Sequence, residues 1–161
     1  MSGGKENKDF KVVARNKLAF HEFEIFDKYE AGISLLGSEI KSIRAGGINI
    51  KEGYVRIKDG EIWLLETRIA PYSHSSLILQ HEPFRPRKLL LHRREIDSIM
   101  GRVQRRGLTI VPLQVYIKRN RAKIEIGLAR SKKNYDKKLD IMKRDAERDA
   151  GREIKRTLRE R

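Results

Sequence analysis

The residue types that most often do chemistry occur in this chain without a catalytic spacing. Its one Ser/His cluster is Ser73-His74-Ser75-Ser76, and neighbours in an extended segment point to opposite sides, so adjacency does not pair a nucleophile with a base. The four histidines match no common zinc spacing, and the sequence contains no cysteine. Gly46-Gly47 is not followed by the Gly-Lys-Ser/Thr of a phosphate-binding loop. The sequence therefore predicts no catalytic residue, no bound metal and no cofactor.

Positive charge is the chemical feature that remains. The chain has 37 Lys and Arg residues against 22 Asp and Glu, a formal net charge of +15, and such a field favours a polyanionic partner. The basic residues form separate clusters, namely Lys41 with Arg44, Arg85 with Arg87 and Lys88, Arg93-Arg94, Arg102 with Arg105 and Arg106, Lys118 with Arg119 and Arg121, and Lys132-Lys133. Each cluster alone is compatible with a solvated surface, and tyrosines such as Tyr54, Tyr72 or Tyr116 could stack on bases or pack in the core. Together these features favour a folded RNA as the ligand.

An anionic membrane is the rival polyanion. The apolar runs are far shorter than the roughly 18 residues that a spanning helix needs. The first 11 residues are polar and charged, unlike a secretory signal, and the lack of cysteine fits a reducing compartment. We therefore expect a cytoplasmic protein with no membrane partner.

The elements that must position these residues begin after a polar segment. Residues 1–12 predict a flexible arm, and residues 13–130 predict the folded domain. Apolar side chains of both parities from Leu18 to Phe26 indicate a strand. Ser38 is the expected N-cap of a short helix over residues 39–45, which Gly46 ends in a left-handed conformation.

Two hairpins and a longer helix complete the predicted domain. Asp59-Gly60 lies between two alternating segments, as in a two-residue hairpin. A helix is expected over residues 93–106, ended by Gly107, and a second hairpin over residues 113–128 with a basic turn. Residues 71–86 predict an exposed loop. The order of elements favours a mainly β fold, an OB-like antiparallel barrel with short flanking helices.

The last segment, residues 131–161, differs in composition from the domain. Acidic and basic residues lie at helical spacings, but the apolar residues are few and scattered. Such a helix is marginal in water. We expect a basic tail that is disordered when free and becomes helical against an anionic partner.

Several blocks of the sequence resemble a known family. The blocks are Asn16-Lys17 with His21, residues 29–33, residues 37–44, residues 87–92 and Asp136-Lys137-Lys138. In order and spacing they resemble small protein B, the family of bacterial SsrA-binding proteins, from about residue 13 to residue 140. Two positions depart from the family pattern, Ser131 where Gly is usual and Lys138 where Arg is usual, and Lys lacks the bidentate fork of Arg.

The resemblance implies a function and a set of site residues. It implies a barrel that binds the tRNA-like domain of transfer-messenger RNA as a monomer in a 1:1 complex, through Glu30, Leu90 and Lys123, and delivers it to stalled ribosomes. It also implies a tail in the small-subunit decoding centre and the empty mRNA channel. With the basic clusters, the predicted RNA-binding residues are Asn16, Lys17, His21, Glu30, Lys41, Arg44, Arg87, Lys88, Leu90 and Lys123. The predicted ribosome-contacting residues are Lys132, Lys133, Tyr135, Asp136, Lys137 and Lys138.

Two other functions are the alternatives to this one. An RNA-modifying or RNA-cleaving enzyme needs a paired acid and base, a metal cluster or a cofactor loop, and the sequence shows no convincing example. A general rRNA or nucleic-acid-binding protein explains the charge equally well. It does not explain the ordered family blocks or the sharply bounded tail.

Overall fold

The computed structural model describes residues 10–73, 80–132 and 134–159. Most of the predicted arm, residues 74–76 of the Ser/His cluster and Lys133 lie outside these ranges. The elements are β1 (Phe10–Arg15), α1 (Lys17–Glu22), β2 (Phe23–Ile33), α2 (Gly37–Arg44), β3 (Ile48–Asn49), β4 (Tyr54–Lys58), β5 (Glu61–Leu65), β6 (Arg68–Ile69), β7 (Arg87–Leu90), α3 (Arg93–Arg106), β8 (Thr109–Lys118), β9 (Arg121–Ser131) and α4 (Asn134–Arg159).

The main sheet is a closed antiparallel ring. Its strand order is β1-β8-β4-β5-β7-β2-β9, and β8 also pairs with β9. The opposite edge of β8 is shared by β4, where Val55 lies opposite Ile110, and by β1. Closure removes the exposed edges that an open sheet would present. The predicted mainly β, OB-like antiparallel barrel with short flanking helices is confirmed.

Side-chain alternation fills the inside of this ring. On β9, Ile124, Ile126 and Leu128 point inward and are fully buried, since every second residue of a strand faces the same side. Helix α3 adds Ile99, also fully buried, and Gly107 ends this helix at φ 63° as expected. Burial of one such side chain contributes about 1.5–3 kcal/mol.

The two predicted hairpins are present. Asp59 and Gly60 have φ of 52° and 75°, the positive values that a type I′ turn requires at both central residues. The β8–β9 turn uses Arg119 and Asn120, at φ of 50° and 63°. This second hairpin is longer than predicted, since β8 begins at Thr109 and β9 ends at Ser131.

The expected strand start near Leu18 is wrong, because a helix occupies that segment. The side chain of Asn16 accepts a hydrogen bond from the Ala19 N–H at 3.2 Å and caps α1. Ala19 is buried against Leu113 and Ala129 in a small second cluster on the outside of the barrel. Capping and this burial together stabilise a helix where the local apolar pattern alone favoured a strand.

Helix α2 begins earlier than predicted, and Ser38 is not its cap. The N-cap residue is Leu36, whose N–H donates to Glu39 Oε1 at 2.9 Å. Ser38 lies inside the first turn, with its Oγ 2.8 Å from Nδ1 of the buried His81. Gly46 follows the helix at φ 83°, as expected.

Both ends of the chain differ in part from the expectation. Strand β1 begins at Phe10 and pairs with β8, so residues 10–12 of the predicted arm belong to the sheet. The tail, expected to be disordered when free, is helical in α4. Its side chains from Ile141 to Arg152 are exposed, so this stretch of the helix gains no burial in the core, and Asp149 and Arg152 lie on adjacent turns.

Candidate nucleic-acid interface

One outer face of the barrel carries Glu30 and Lys123, two of the predicted RNA-binding residues. Alternation along three adjacent strands directs a set of polar side chains, with one glycine, away from the core. In this set Gly32 lies opposite Lys123, and Lys123 lies opposite Tyr116. We call it the β2–β9 face: Lys28, Glu30, Gly32, Tyr116, Lys118, Lys123 and Glu125.

Glu30 is held in place at the centre of this face. The Tyr116 hydroxyl donates a hydrogen bond to Glu30 Oε2, and Lys118 Nζ lies 3.4 Å from the same oxygen. The bond from Tyr116 is the largest influence and lowers the pKa of Glu30, burial raises it, and Lys118 and Lys123 lower it further. Since 41% of the Glu30 side chain is exposed, an ionised, oriented acceptor remains open to a ligand.

The same interaction affects Tyr116. Burial first, and then its hydrogen bond to Glu30, raise the pKa of the Tyr116 hydroxyl. The ring of Phe10 covers it, with ring centroids 4.8 Å apart. Tyr116 is therefore a protonated donor whose position is set by packing, and it is too buried to stack on a base.

Leu90 and Lys123 meet beside Glu30 at a groove of about 360 Å³. Leu90 is 52% exposed and lies opposite Gly32 on the neighbouring strand. A Cβ atom on Gly32 would lie 3.3 Å from Leu90 Cβ and 3.8 Å from Lys123 Nζ. The absence of a side chain at Gly32 therefore leaves room for Leu90 and Lys123, and Glu30, Leu90 and Lys123 share one contiguous surface.

Helix α1 extends this surface at its other end. Lys17 and Phe20 line a second groove of about 320 Å³ together with Lys28. Lys28 Nζ lies 5.5 Å from the Phe20 ring centroid, within the range of a cation–π contact. His21 is on the same helix and is partly exposed. Lys17 and His21 are thus positioned next to the β2–β9 face.

Two predicted RNA-binding residues are structural instead. Asn16 is buried and caps α1. Arg87 has no exposed side-chain surface and lies 2.6 Å from Glu39 Oε2, while its Nη1 donates to Thr67 O at 2.7 Å. Burial lowers the pKa of Arg87, and the Glu39 carboxylate opposes this effect. An RNA contact by either residue would require the fold to open.

The other predicted cations lie at the margins of the face. Arg44 donates to Asn120 O at 3.1 Å. This bond links α2 to the tip of the β8–β9 hairpin, beside the groove that Leu90 and Lys123 line. Lys41 Nζ lies 5.9 Å from the Tyr72 ring centroid. Lys88 faces outward on β7 and pairs with Glu61 at 3.1 Å. Lys88 and Leu90 are two residues apart on β7 and face the same outer side, so Lys88 lies at the edge of the surface that Leu90 shares with Glu30 and Lys123.

The junction with the tail is anchored to α1. The Lys132 N–H donates to Glu22 O at 2.9 Å, and its Nζ donates to Phe20 O at 3.2 Å. Lys133 is outside the described residues. Tyr135, Asp136, Lys137 and Lys138 belong to α4, but their side chains are outside the described part.

Some residues of the face could have been found from strand parity. Lys28 and Gly32 share the parity of Glu30, so strand alternation alone places all three on one side. Among the described residues there is no group of three or more His, Asp or Glu suited to a metal ion. In the same part of the chain, no helix has the length and apolar content to cross a membrane.

Comparisons with known proteins identify the family of this chain. A family model described as SmpB protein matches residues 13–156. An SsrA-binding protein of Roseiflexus sp. (strain RS-1) is 59% identical over 149 residues, 92% of this chain and 94% of the relative. One from Chloroflexus aggregans (strain MD-66 / DSM 9485) is 53% identical over 149 residues, with the same coverage.

A solved structure agrees as well. A chain from "tmRNA-SmpB: a journey to the center of the bacterial ribosome" superposes with a TM-score of 0.63 at 45% identity, over 76% of this chain and 85% of that one. The family match covers the barrel and most of α4. The chain belongs to the SmpB protein family.

Proposed function

We propose that this protein binds the tRNA-like domain of transfer-messenger RNA and delivers it to stalled ribosomes for trans-translation. It acts in the cytoplasm, as a monomer bound 1:1 to the RNA, and does no chemistry itself. One observation carries the proposal: Glu30, Leu90 and Lys123 form one contiguous surface in a chain of the SmpB family.

The β2–β9 face supplies the contacts that a folded RNA needs. Lys28, Lys118 and Lys123 can bind phosphate oxygens, which fix position without reading sequence. Glu30 can only accept hydrogen bonds while ionised, so it suits a base amino group or a ribose 2′-hydroxyl. Leu90 offers an apolar contact beside them. Cations and a fixed acceptor together favour one RNA shape over diffuse attraction.

The test is a titration of the protein into labelled tRNA-like domain at about 0.15 M salt, where exposed charges are screened beyond about 8 Å. Duplex DNA and an unstructured RNA of equal length are the competitors. Retention of binding against both competitors supports the proposal. Equal displacement by every polyanion would favour a general nucleic-acid-binding protein.

Two substitutions test whether the RNA binds at the β2–β9 face. Lys123→Gln is expected to weaken binding about tenfold or more, because a hydrogen bond to a charged group contributes about 1.5–3 kcal/mol. Arg106→Gln, an exposed position on α3 with the same loss of charge, is the matched control and should have a smaller effect. Equal effects of the two variants would argue against the β2–β9 face.

We propose that α4 occupies the mRNA channel of the small subunit, with Lys132, Lys133, Tyr135, Asp136, Lys137 and Lys138 near the decoding centre. Ser131 pairs with Phe23, and Lys132 is hydrogen-bonded to α1. The shortened chain should therefore keep both residues and end at Lys133. Loss of residues 134–161 is expected to preserve RNA affinity and abolish ribosome rescue. A large loss of RNA affinity would refute this division of roles.

A further inference from the structure

A second part of the outer surface combines the structure's single tryptophan with cations. On β5, Trp63 faces outward and is partly exposed. Its cross-strand neighbours are Arg56 on β4 and Lys88 on β7, each directly opposite it in register. Adjacent strands are about 4.8 Å apart, so Trp63 lies between two basic residues in one row across three strands.

This row borders a groove of about 450 Å³. Besides Arg56 and Trp63, the groove is lined by Lys58, Leu65 and Pro86 and by the acidic Asp59 and Glu61. Its volume lies within the range of small-ligand sites, about 300–1,000 Å³. The row and the β2–β9 face lie on either side of β7, whose outward residues Lys88 and Leu90 border the two surfaces.

We propose that this row binds an unpaired nucleotide of an RNA chain, with its base stacked on Trp63 and its flanking phosphates against Arg56 and Lys88. Aromatic stacking between basic side chains is the usual way in which sheet surfaces hold single-stranded nucleic acid, because every base has a flat π face. Duplex RNA does not fit, since its bases are already stacked. The proposal does not depend on which folded RNA the β2–β9 face binds.

The acidic groups allow a test in which one substitution strengthens RNA binding and another weakens it. Glu61 Oε1 lies 3.1 Å from Lys88 Nζ, in a pair where both side chains are more than 40% exposed. An exposed pair of this kind contributes little to stability, so a phosphate can replace it. Glu61→Gln removes the competing carboxylate, and we expect it to tighten binding, whereas Lys88→Gln weakens it.

Because the sequence has one tryptophan, all tryptophan fluorescence comes from Trp63. The probe is a single-stranded oligouridylate of about six nucleotides, titrated into the full chain at low salt. Quenching of Trp63 that saturates, and that duplex RNA of equal length does not produce, is the expected result. Absence of quenching while labelled oligouridylate binds, or equal quenching by the duplex, overturns the proposal.

Affinity measurements on variants complete the test through anisotropy of a labelled oligouridylate. Trp63→Leu is expected to lose roughly 5- to 150-fold, the range for one stacked base, and Trp63→Phe should retain most of the affinity because it keeps a flat ring. Equal loss in both variants, at unchanged circular dichroism, contradicts stacking. A Glu30→Gln/Lys123→Gln variant separates the two sites: its Trp63 quenching should persist even if the proposed tRNA-like ligand no longer binds.

Discussion

Breaking the buried ion pair between Glu39 and Arg87 should be the most damaging conservative change in the core. Both side chains have no exposed surface, and Arg87 also donates to Thr67 O and Pro83 O. Glu39→Gln keeps the shape but leaves the guanidinium without its counter-charge. Removing one partner of such a pair costs about 3–5 kcal/mol, a large part of the roughly 5–15 kcal/mol typical of a domain.

Urea unfolding at pH 7, followed by Trp63 fluorescence, measures this loss. The matched control is Lys88→Gln, next to Arg87 in the chain, because its pair with Glu61 is exposed and should contribute less than about 1 kcal/mol. A double variant, Glu39→Gln with Arg87→Met, is expected to lose less than the sum of the single losses, because it leaves no fully buried unpaired charge; Arg85, the other partner of Glu39, is 35% exposed. If Glu39→Gln lowers the free energy of unfolding no more than Lys88→Gln does, the pairing of Arg87 with Glu39 does not stabilise the fold.

The same pair predicts a pH dependence. Burial raises the pKa of Glu39, but hydrogen bonds from Arg85, from the Leu36 N–H and from Arg87 outweigh it, so the pKa lies below its ordinary value. A lowered pKa stabilises the fold above the ordinary glutamate range of about 4.3 and loses this effect as the pH falls through the folded-state pKa. The stability gap between wild type and Glu39→Gln should stay constant near neutrality and narrow below about pH 4.

Other predictions concern the β2–β9 face and the tail. Tyr116→Phe removes the hydrogen bond that most lowers the pKa of Glu30, so NMR titration of the Glu30 carboxyl should show a higher pKa and RNA affinity should fall; an unchanged pKa contradicts the contact. In Gly32→Ala the added methyl group pushes on Leu90, so RNA binding should weaken severalfold, while the free energy of unfolding in urea changes by no more than about 1 kcal/mol. Unchanged affinity would show that Leu90 makes no contact with the RNA. Circular dichroism should show more helix in the full chain than in one ending at residue 133, and equal spectra would mean that α4 is not formed in the free protein.

Local signals in the sequence predicted local structure well. The Asp59-Gly60 turn and the helix stop at Gly107 both lie where the residue types place them, because positive φ is a property of a few residues. Asn16 caps α1 in the structure, whereas the apolar side chains of both parities that follow it favour a strand. Elements were thus predictable where one backbone preference decided the outcome.

Long-range pairings could not be predicted in the same way. Glu39 and Arg87 are 48 residues apart, and Tyr116 and Glu30 are 86 apart. Arg87 and Lys88 read as one basic cluster, yet strand alternation directs Arg87 into the core and Lys88 to the surface. Charge counts in the sequence therefore overestimate the basic surface, because they do not show which cation has a buried partner.

If the β2–β9 face binds RNA as proposed, the carboxylate of Glu30 explains how a strongly basic protein can still be selective. Lysines alone attract any polyanion, and that attraction weakens as salt rises. An ionised carboxylate fixed by Tyr116 repels a phosphate and can only accept a hydrogen bond. An RNA placed in the wrong register would bring a phosphate to Glu30 and lose affinity, whereas the correct one brings a hydrogen-bond donor. Selectivity then comes from the repulsive group as much as from the attractive ones, and Glu30→Gln should relax discrimination between RNAs more than it lowers affinity.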